Sequence, residues 1–164
     1  MYSRKHAVWK LADFGLTSEA VGTLQTSKSR GTDGYRAPEL LLCHLGKKAV
    51  FNNKVDIWSI GCILFELAVC RKAFVNDFAT LQYQLYTEAL DIPLDESFGE
   101  QCKETVNRNI QSMLALTSSS RPSAADLENE FVKNFSSNQV LPHTPVHVHQ
   151  NFHQVEAISI EGHK

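Results

Sequence analysis

Apolar residues crowd one stretch of this chain and recur at helical spacing in three others. From Lys54 to Val69 they dominate: Val55, Ile57, Trp58, Ile60, Ile63, Leu64, Phe65 and Leu67. A helix apolar on nearly every face predicts a buried central element rather than a surface one. Three amphipathic helices are expected around it. Phe78, Leu81, Leu85 and Ala89 share one face of the first, Val106, Ile110, Met113 and Leu114 one face of the second, and Ala124, Leu127 and Phe131 one face of the third. Ser123 and Asp126 stand at capping-box spacing where the last helix opens. Pro38 predicts another helix start, because its fixed φ suits the first turn and its missing N–H is no loss there; Glu39 to Leu45 would follow. Upstream, Val8 to Ala12 reads as a short strand ending at Asp13, and residues 14–36, rich in Gly, Ser and Thr, read as irregular. The fold class is therefore mainly α, with a short strand ahead of the helices.

The pattern changes after Phe135. Residues 136–164 carry Pro142, Pro145 and five of the seven histidines, and read as a tail outside a core spanning residues 1–135. His143, His147, His149 and His153 could gather around a metal, but no Cys or carboxylate cluster completes a site, so an unstructured His-rich tail is the expectation. A length of 164 residues leaves room for one domain plus such a tail. With 43% hydrophobic and 21% charged residues, neither a wholly disordered nor a collagen-like chain fits. A net charge of −2 and a pI near 6.4 argue against bulk capture of nucleic acid or anionic membrane. Residues 1–10 hold no apolar signal region, and Val55 to Val69, interrupted by Asp56 and Glu66, is too short for a comfortable membrane span. Neither nucleic acid nor membrane is expected as a partner. Cys43, Cys62, Cys70 and Cys102 form no C-x-x-C pair, which predicts reduced, mostly buried thiols of a cytoplasmic or nuclear protein.

The candidate chemistry lies in four short motifs. Asp13-Phe14-Gly15 follows the expected strand directly. Then come Gly31-Thr32-Asp33-Gly34-Tyr35-Arg36-Ala37-Pro38-Glu39, Asp56-Ile57-Trp58-Ser59-Ile60-Gly61, and Arg121-Pro122-Ser123. A lone D-F-G is weak evidence, but four matches in this order are specific. Over about residues 8–135 the chain resembles the C-terminal lobe of eukaryotic protein kinases of the serine/threonine type. Gly31-Thr32-x-x-Tyr35 carries the serine/threonine resemblance, since tyrosine kinases usually have a Pro-rich, Trp-containing pattern there.

The resemblance implies roles for named residues. Asp13 would hold Mg²⁺ against the phosphates of ATP, with Ala12 lying under the nucleotide. A carboxylate at a strand end suits that hard cation, which takes oxygen ligands. Gly31, Thr32 and Tyr35 would form the docking turn for a protein substrate, the Thr32 hydroxyl bonding to the catalytic Asp. Glu39 and Arg121 would make a buried structural ion pair, and Asp56 would hydrogen-bond the backbone of the catalytic loop. Residues 16–36 resemble an activation segment, in which one of Thr26, Ser27 or Ser29 would be phosphorylated by an upstream kinase and held by Lys28, Arg30 or Arg36; a merely solvated Ser/Thr-rich loop is the alternative. Cys70 departs from the family, where many members have Gly; a Cys in a left-handed cap would be strained, so a less regular helix end is expected.

Other family parts do not occur in these 164 residues. The sequence has no G-x-G-x-x-G loop, no V-A-I-K lysine and no H-R-D-x-x-x-x-N loop. Phosphoryl transfer depends on those parts acting together. Two readings follow: part of an ATP- and Mg²⁺-dependent protein kinase, inactive as this isolated chain, or a non-catalytic interaction module with a kinase-like surface. Without its family partners the chain is also expected to be marginally stable or to aggregate on its own.

Overall fold

The computed structural model describes residues 2–3, 5, 8–10, 12, 15, 22–26, 30–86 and 90–135. The chain order is β1 (Tyr2–Ser3), β2 (Val8–Trp9), β3 (Leu24–Thr26), a 3₁₀ helix (Pro38–Leu45), β4 (Ala49–Phe51), α1 (Lys54–Val69), α2 (Asp77–Tyr86), α3 (Glu100–Met113), a short 3₁₀ turn (Ser118–Ser120) and α4 (Ala124–Phe135). The fold is mainly helical, with two small antiparallel sheets ahead of α1. No described helix is long and apolar enough to cross a membrane.

The core forms where α1 crosses α3. Val55, Trp58, Cys62 and Phe65 of α1 pack with Val106 and Ile110 of α3 and with Leu114 just beyond it. Phe74 stacks on Trp58 with ring centroids 5.5 Å apart, and Tyr83 of α2 meets the Trp58 ring edge-on at 6.2 Å. The helices approach closely at Gly61, where an added Cβ would stand 2.8 Å from the Cβ of Met113. A second small cluster joins Ile57, Met113 and Leu127, which ties α4 to the same pair of helices. Ser123 and Asp126 cap α4 reciprocally: the Ser123 N–H donates to Asp126 Oδ2 at 2.8 Å, and the Asp126 N–H donates to Ser123 Oγ at 3.1 Å.

Several expectations need correction. The strand expected over Val8 to Ala12 covers Val8–Trp9 among the described residues, paired antiparallel with Tyr2–Ser3, and Lys10 and Ala12 lie outside it. The segment read as irregular contains β3, which pairs with β4 in the register Leu24 with Phe51 and Thr26 with Ala49. α1 has the expected limits but is not buried all round: Ile60, Ile63 and Leu67 form an exposed stripe. On α2 two residues of the expected face point outward, and Leu81 is half-buried. Phe78 is 66% and Leu85 76% exposed, while Ala79, Thr80 and Tyr83 face the core, because the rings of Phe74 and Trp58 fix which side of α2 turns inward. On α4, Ala124 is exposed and Leu127 supplies the buried contact. Ala89 and residues 136–164, with the tail histidines, lie outside the described residues.

The end of α1 is regular, contrary to expectation. Cys70 takes the left-handed conformation, φ 56° and ψ 24°, and its N–H still reaches the Glu66 carbonyl at 2.9 Å. The cap geometry is kept although the residue is not Gly, so strain replaces irregularity. Cys70 is also exposed, unlike the mostly buried thiols anticipated, whereas burial in the core pushes the Cys62 thiol up to about 12.

Candidate functional site

Between β3 and the 3₁₀ helix at Pro38 the backbone makes a tight turn. The Tyr35 N–H donates to the Thr32 carbonyl at 3.1 Å, and Gly31, Thr32 and Asp33 face solvent. Gly34 takes φ +79°, and a Cβ there would stand 2.6 Å from the Phe74 carbonyl oxygen. Only glycine meets both demands.

The turn is fastened to the start of α2. The Gly34 N–H donates to Asp77 Oδ1 at 3.1 Å, and the Asp77 N–H donates to Asp33 Oδ1 at 2.7 Å. Arg36 pairs with Asp77 Oδ2 at 2.5 Å, and its other donors reach the carbonyls of Arg30 and Gly31 at 2.6 to 3.0 Å. The bond from the Asp77 backbone, chiefly, holds the Asp33 carboxyl below its ordinary value.

Tyr35 is anchored on the opposite side. Its hydroxyl donates to Glu66 Oε2 in a short bond, its carbonyl accepts from Ser59 Oγ at 2.9 Å, and the Lys72 ammonium lies 5.1 Å from its ring centroid. The bond to Glu66, aided by burial, raises the phenol to about 12, so it stays a donor at any physiological pH. A half-open cavity of about 180 Å³ lies beside the turn, lined by Arg30, Tyr35, Leu40, Phe51, Asp56 and Ser59 among others. Asp56 is exposed overall, so it is not a buried polar group, but partial desolvation raises its carboxyl.

Glu39 and Arg121 meet as the motifs imply. Arg121 Nη1 and Nη2 reach the two Glu39 oxygens at 2.7 and 2.8 Å, a bidentate pair. The remaining donors go to the carbonyls of Lys54, Ala115 and Leu116, and the guanidinium sits 5.0 Å from the Trp58 ring centroid.

The other expected site residues are spread along the chain. Ala12 is exposed and outside the strand, and Thr26 is half-buried in β3 opposite Ala49. Asp13, Ser27, Lys28 and Ser29 lie outside the described residues. Among the described residues no group of three His, Cys, Asp or Glu gathers to hold a metal ion. Sequence reasoning missed Asp77, Asp33 and Glu66, and took Arg36 for a cation open to phosphate. The one local signal was an acidic residue in the first turn of α2.

A family model described as "Protein kinase domain" matches residues 1–132. Serine/threonine-protein kinase 10-A of Xenopus laevis is 34% identical over 134 residues, which are 80% of this chain and 14% of that protein. The probable cell division protein kinase ECU11_1290 of Encephalitozoon cuniculi is 40% identical over 91 residues, 56% of this chain and 28% of that protein. Serine/threonine-protein kinase nekl-2 of Caenorhabditis elegans is 28% identical over 127 residues, 77% of this chain and 33% of that protein. The chain thus spans a third or less of each of these relatives.

Proposed function

The chain belongs to the protein kinase family, and from that premise we propose that it is the substrate-binding side of an ATP- and Mg²⁺-dependent kinase acting on Ser and Thr of protein substrates. The ordered turn at Gly31, Thr32 and Tyr35 carries this reading. It leaves Thr32 facing solvent while Tyr35 and Gly34 tie the backbone to α1 and α2. A rigid scaffold under an exposed hydroxyl suits docking, since the group is held in place before the substrate arrives.

In this reading Asp13 contributes a carboxylate to the metal and Ala12 a surface under the nucleotide. The metal would neutralise phosphate charge, and this chain's part is to orient the acceptor. Thr32 positions the acceptor-side loop, Asp56 meets the catalytic-loop backbone, and the Glu39–Arg121 pair holds the lobe together. Thr26, Ser27 and Ser29 remain the proposed sites for an upstream kinase, acting in the cytoplasm or nucleus. These 164 residues alone do not transfer phosphate, because no H-R-D base or Gly-rich loop occurs in them.

The test is phosphorylation of arrayed Ser, Thr and Tyr peptides by the native product that carries this segment. Transfer to Ser and Thr peptides, weakened by Thr32→Ala, is expected. Transfer to Tyr peptides, or none with any peptide, overturns the reading; the latter would favour the interaction module.

A further inference from the structure

Arg36 stands between the exposed turn and α2. Its Nε–H reaches the carbonyls of Arg30 and Gly31 at 3.0 and 2.9 Å, its Nη2 reaches the Gly31 carbonyl at 2.6 Å, and its Nη1 meets Asp77 Oδ2 at 2.5 Å. The second Asp77 oxygen accepts from the Gly34 N–H, and the Asp77 N–H returns a bond to Asp33. The Arg36 and Asp77 side chains are only 16% and 15% exposed, so salt screens their pairing weakly. α2 has a cap from another residue: Asn76 Oδ1 accepts the Ala79 N–H at 3.0 Å. The Asp77 carboxylate is thus turned toward the loop at residues 33–36.

We infer that Asp77 is the positioning residue of the substrate-facing turn: through Arg36 and Gly34 it fixes the backbone of Gly31 and Thr32 from the start of α2, with no phosphate required. The inference rests on the reading of that turn as substrate-facing. A carboxylate built into the chain fills the place beside Arg36 that a phosphorylated residue would otherwise take. A phosphate on this loop would have to displace Asp77 from Arg36 in order to use that cation. The turn and the first turn of α2 then move as one body, and the turn is ordered in the unmodified chain.

Amide hydrogen exchange on the native protein that carries this segment tests this, comparing wild type with Asp77→Ala, Asp77→Asn and Arg36→Gln. In Asp77→Ala and Arg36→Gln, residues 30–36 should exchange about tenfold faster or more, as expected on losing a charge-assisted hydrogen bond. Asp77→Asn, which keeps an acceptor for Gly34, should show a smaller rise, and α1 and α3 should exchange as in wild type. Unchanged exchange at 30–36, or loosening shared equally by α1 and α3, overturns the inference. Should Asp77→Ala fail to fold, Arg36→Gln decides alone, since it leaves α2 and the Asn76 cap untouched. A parallel titration with Ser-centred peptides separates the two claims. Weaker binding by Arg36→Gln than by wild type ties the clamp to substrate; no binding by wild type, with exchange responding as expected, supports the clamp and overturns the substrate reading.

Discussion

Replacing Arg121 by Ala should remove a large part of this domain's stability. The side chain is fully buried, and Glu39 beside it is 17% exposed. All five guanidinium N–H groups have acceptors: two go to Glu39, and the others to the carbonyls of Lys54, Ala115 and Leu116. Truncation leaves a largely buried carboxylate and three carbonyls without those donors. It also removes the cation over the Trp58 ring. Breaking a buried pair on one side typically costs about 3–5 kcal/mol, against a total of about 5–15 for a domain. Arg121→Lys keeps the charge but has three donors and no fork, so it should lose less. The double variant Glu39→Leu with Arg121→Met removes both charges and should recover much of the loss. Urea unfolding followed by far-UV dichroism and tryptophan fluorescence measures each, with Trp58 reporting at the site. A loss below about 1 kcal/mol for Arg121→Ala, or a double variant as unstable as the sum of its singles, would refute the reasoning.

Cys70→Gly should stabilise by about 1 kcal/mol, because it relieves the left-handed strain at an exposed position, while Cys70→Ala should not; thermal melts of the two distinguish relief of strain from loss of the thiol. The Asp126 carboxyl is held below its ordinary value of 3.8, first by the Ser123 side chain and then by the Ser123 backbone. Its contribution is therefore present above that value and lost as the pH falls through the lowered one. Melting temperature should drop more steeply on acidification in wild type than in Ser123→Ala; parallel curves would contradict the cap. The exposed Ile60, Ile63 and Leu67 stripe should make the isolated chain self-associate, and Ile63→Asp with Leu67→Asp should raise the monomer fraction by light scattering. An unchanged oligomer distribution would point to another surface.

How far the sequence reached depended on the range of the interaction. The limits of α1 were legible because its sixteen residues are mostly apolar, with Lys54, Asp56, Ser59 and Glu66 as the only charged or hydroxyl-bearing breaks, and the existence of α3 because its buried positions repeat at helical spacing. The direction of α2 was not. Phe78, Leu81 and Leu85 have the right spacing for a core face, but Phe74 and Tyr83, which orient the helix against Trp58, do not stand out in a periodic pattern. β3 and β4 are three residues each, too short to show alternation, and each depends on the other. At the site, the motif order pointed to the Glu39–Arg121 pair across 82 positions. Nothing comparable marked Asp77 as the partner of Arg36, 41 positions away, so a cation that reads as open to phosphate is already held by a carboxylate.

The central claim is tested most directly by phosphate transfer from ATP to Ser and Thr peptides by the native protein carrying this segment, purified from cells with the wild-type residue or with Asp13→Ala at the chromosomal locus. The account predicts transfer that Asp13→Ala abolishes while Ser-centred peptides still bind. Transfer that survives Asp13→Ala, or a native protein that binds peptides and transfers nothing, would contradict it.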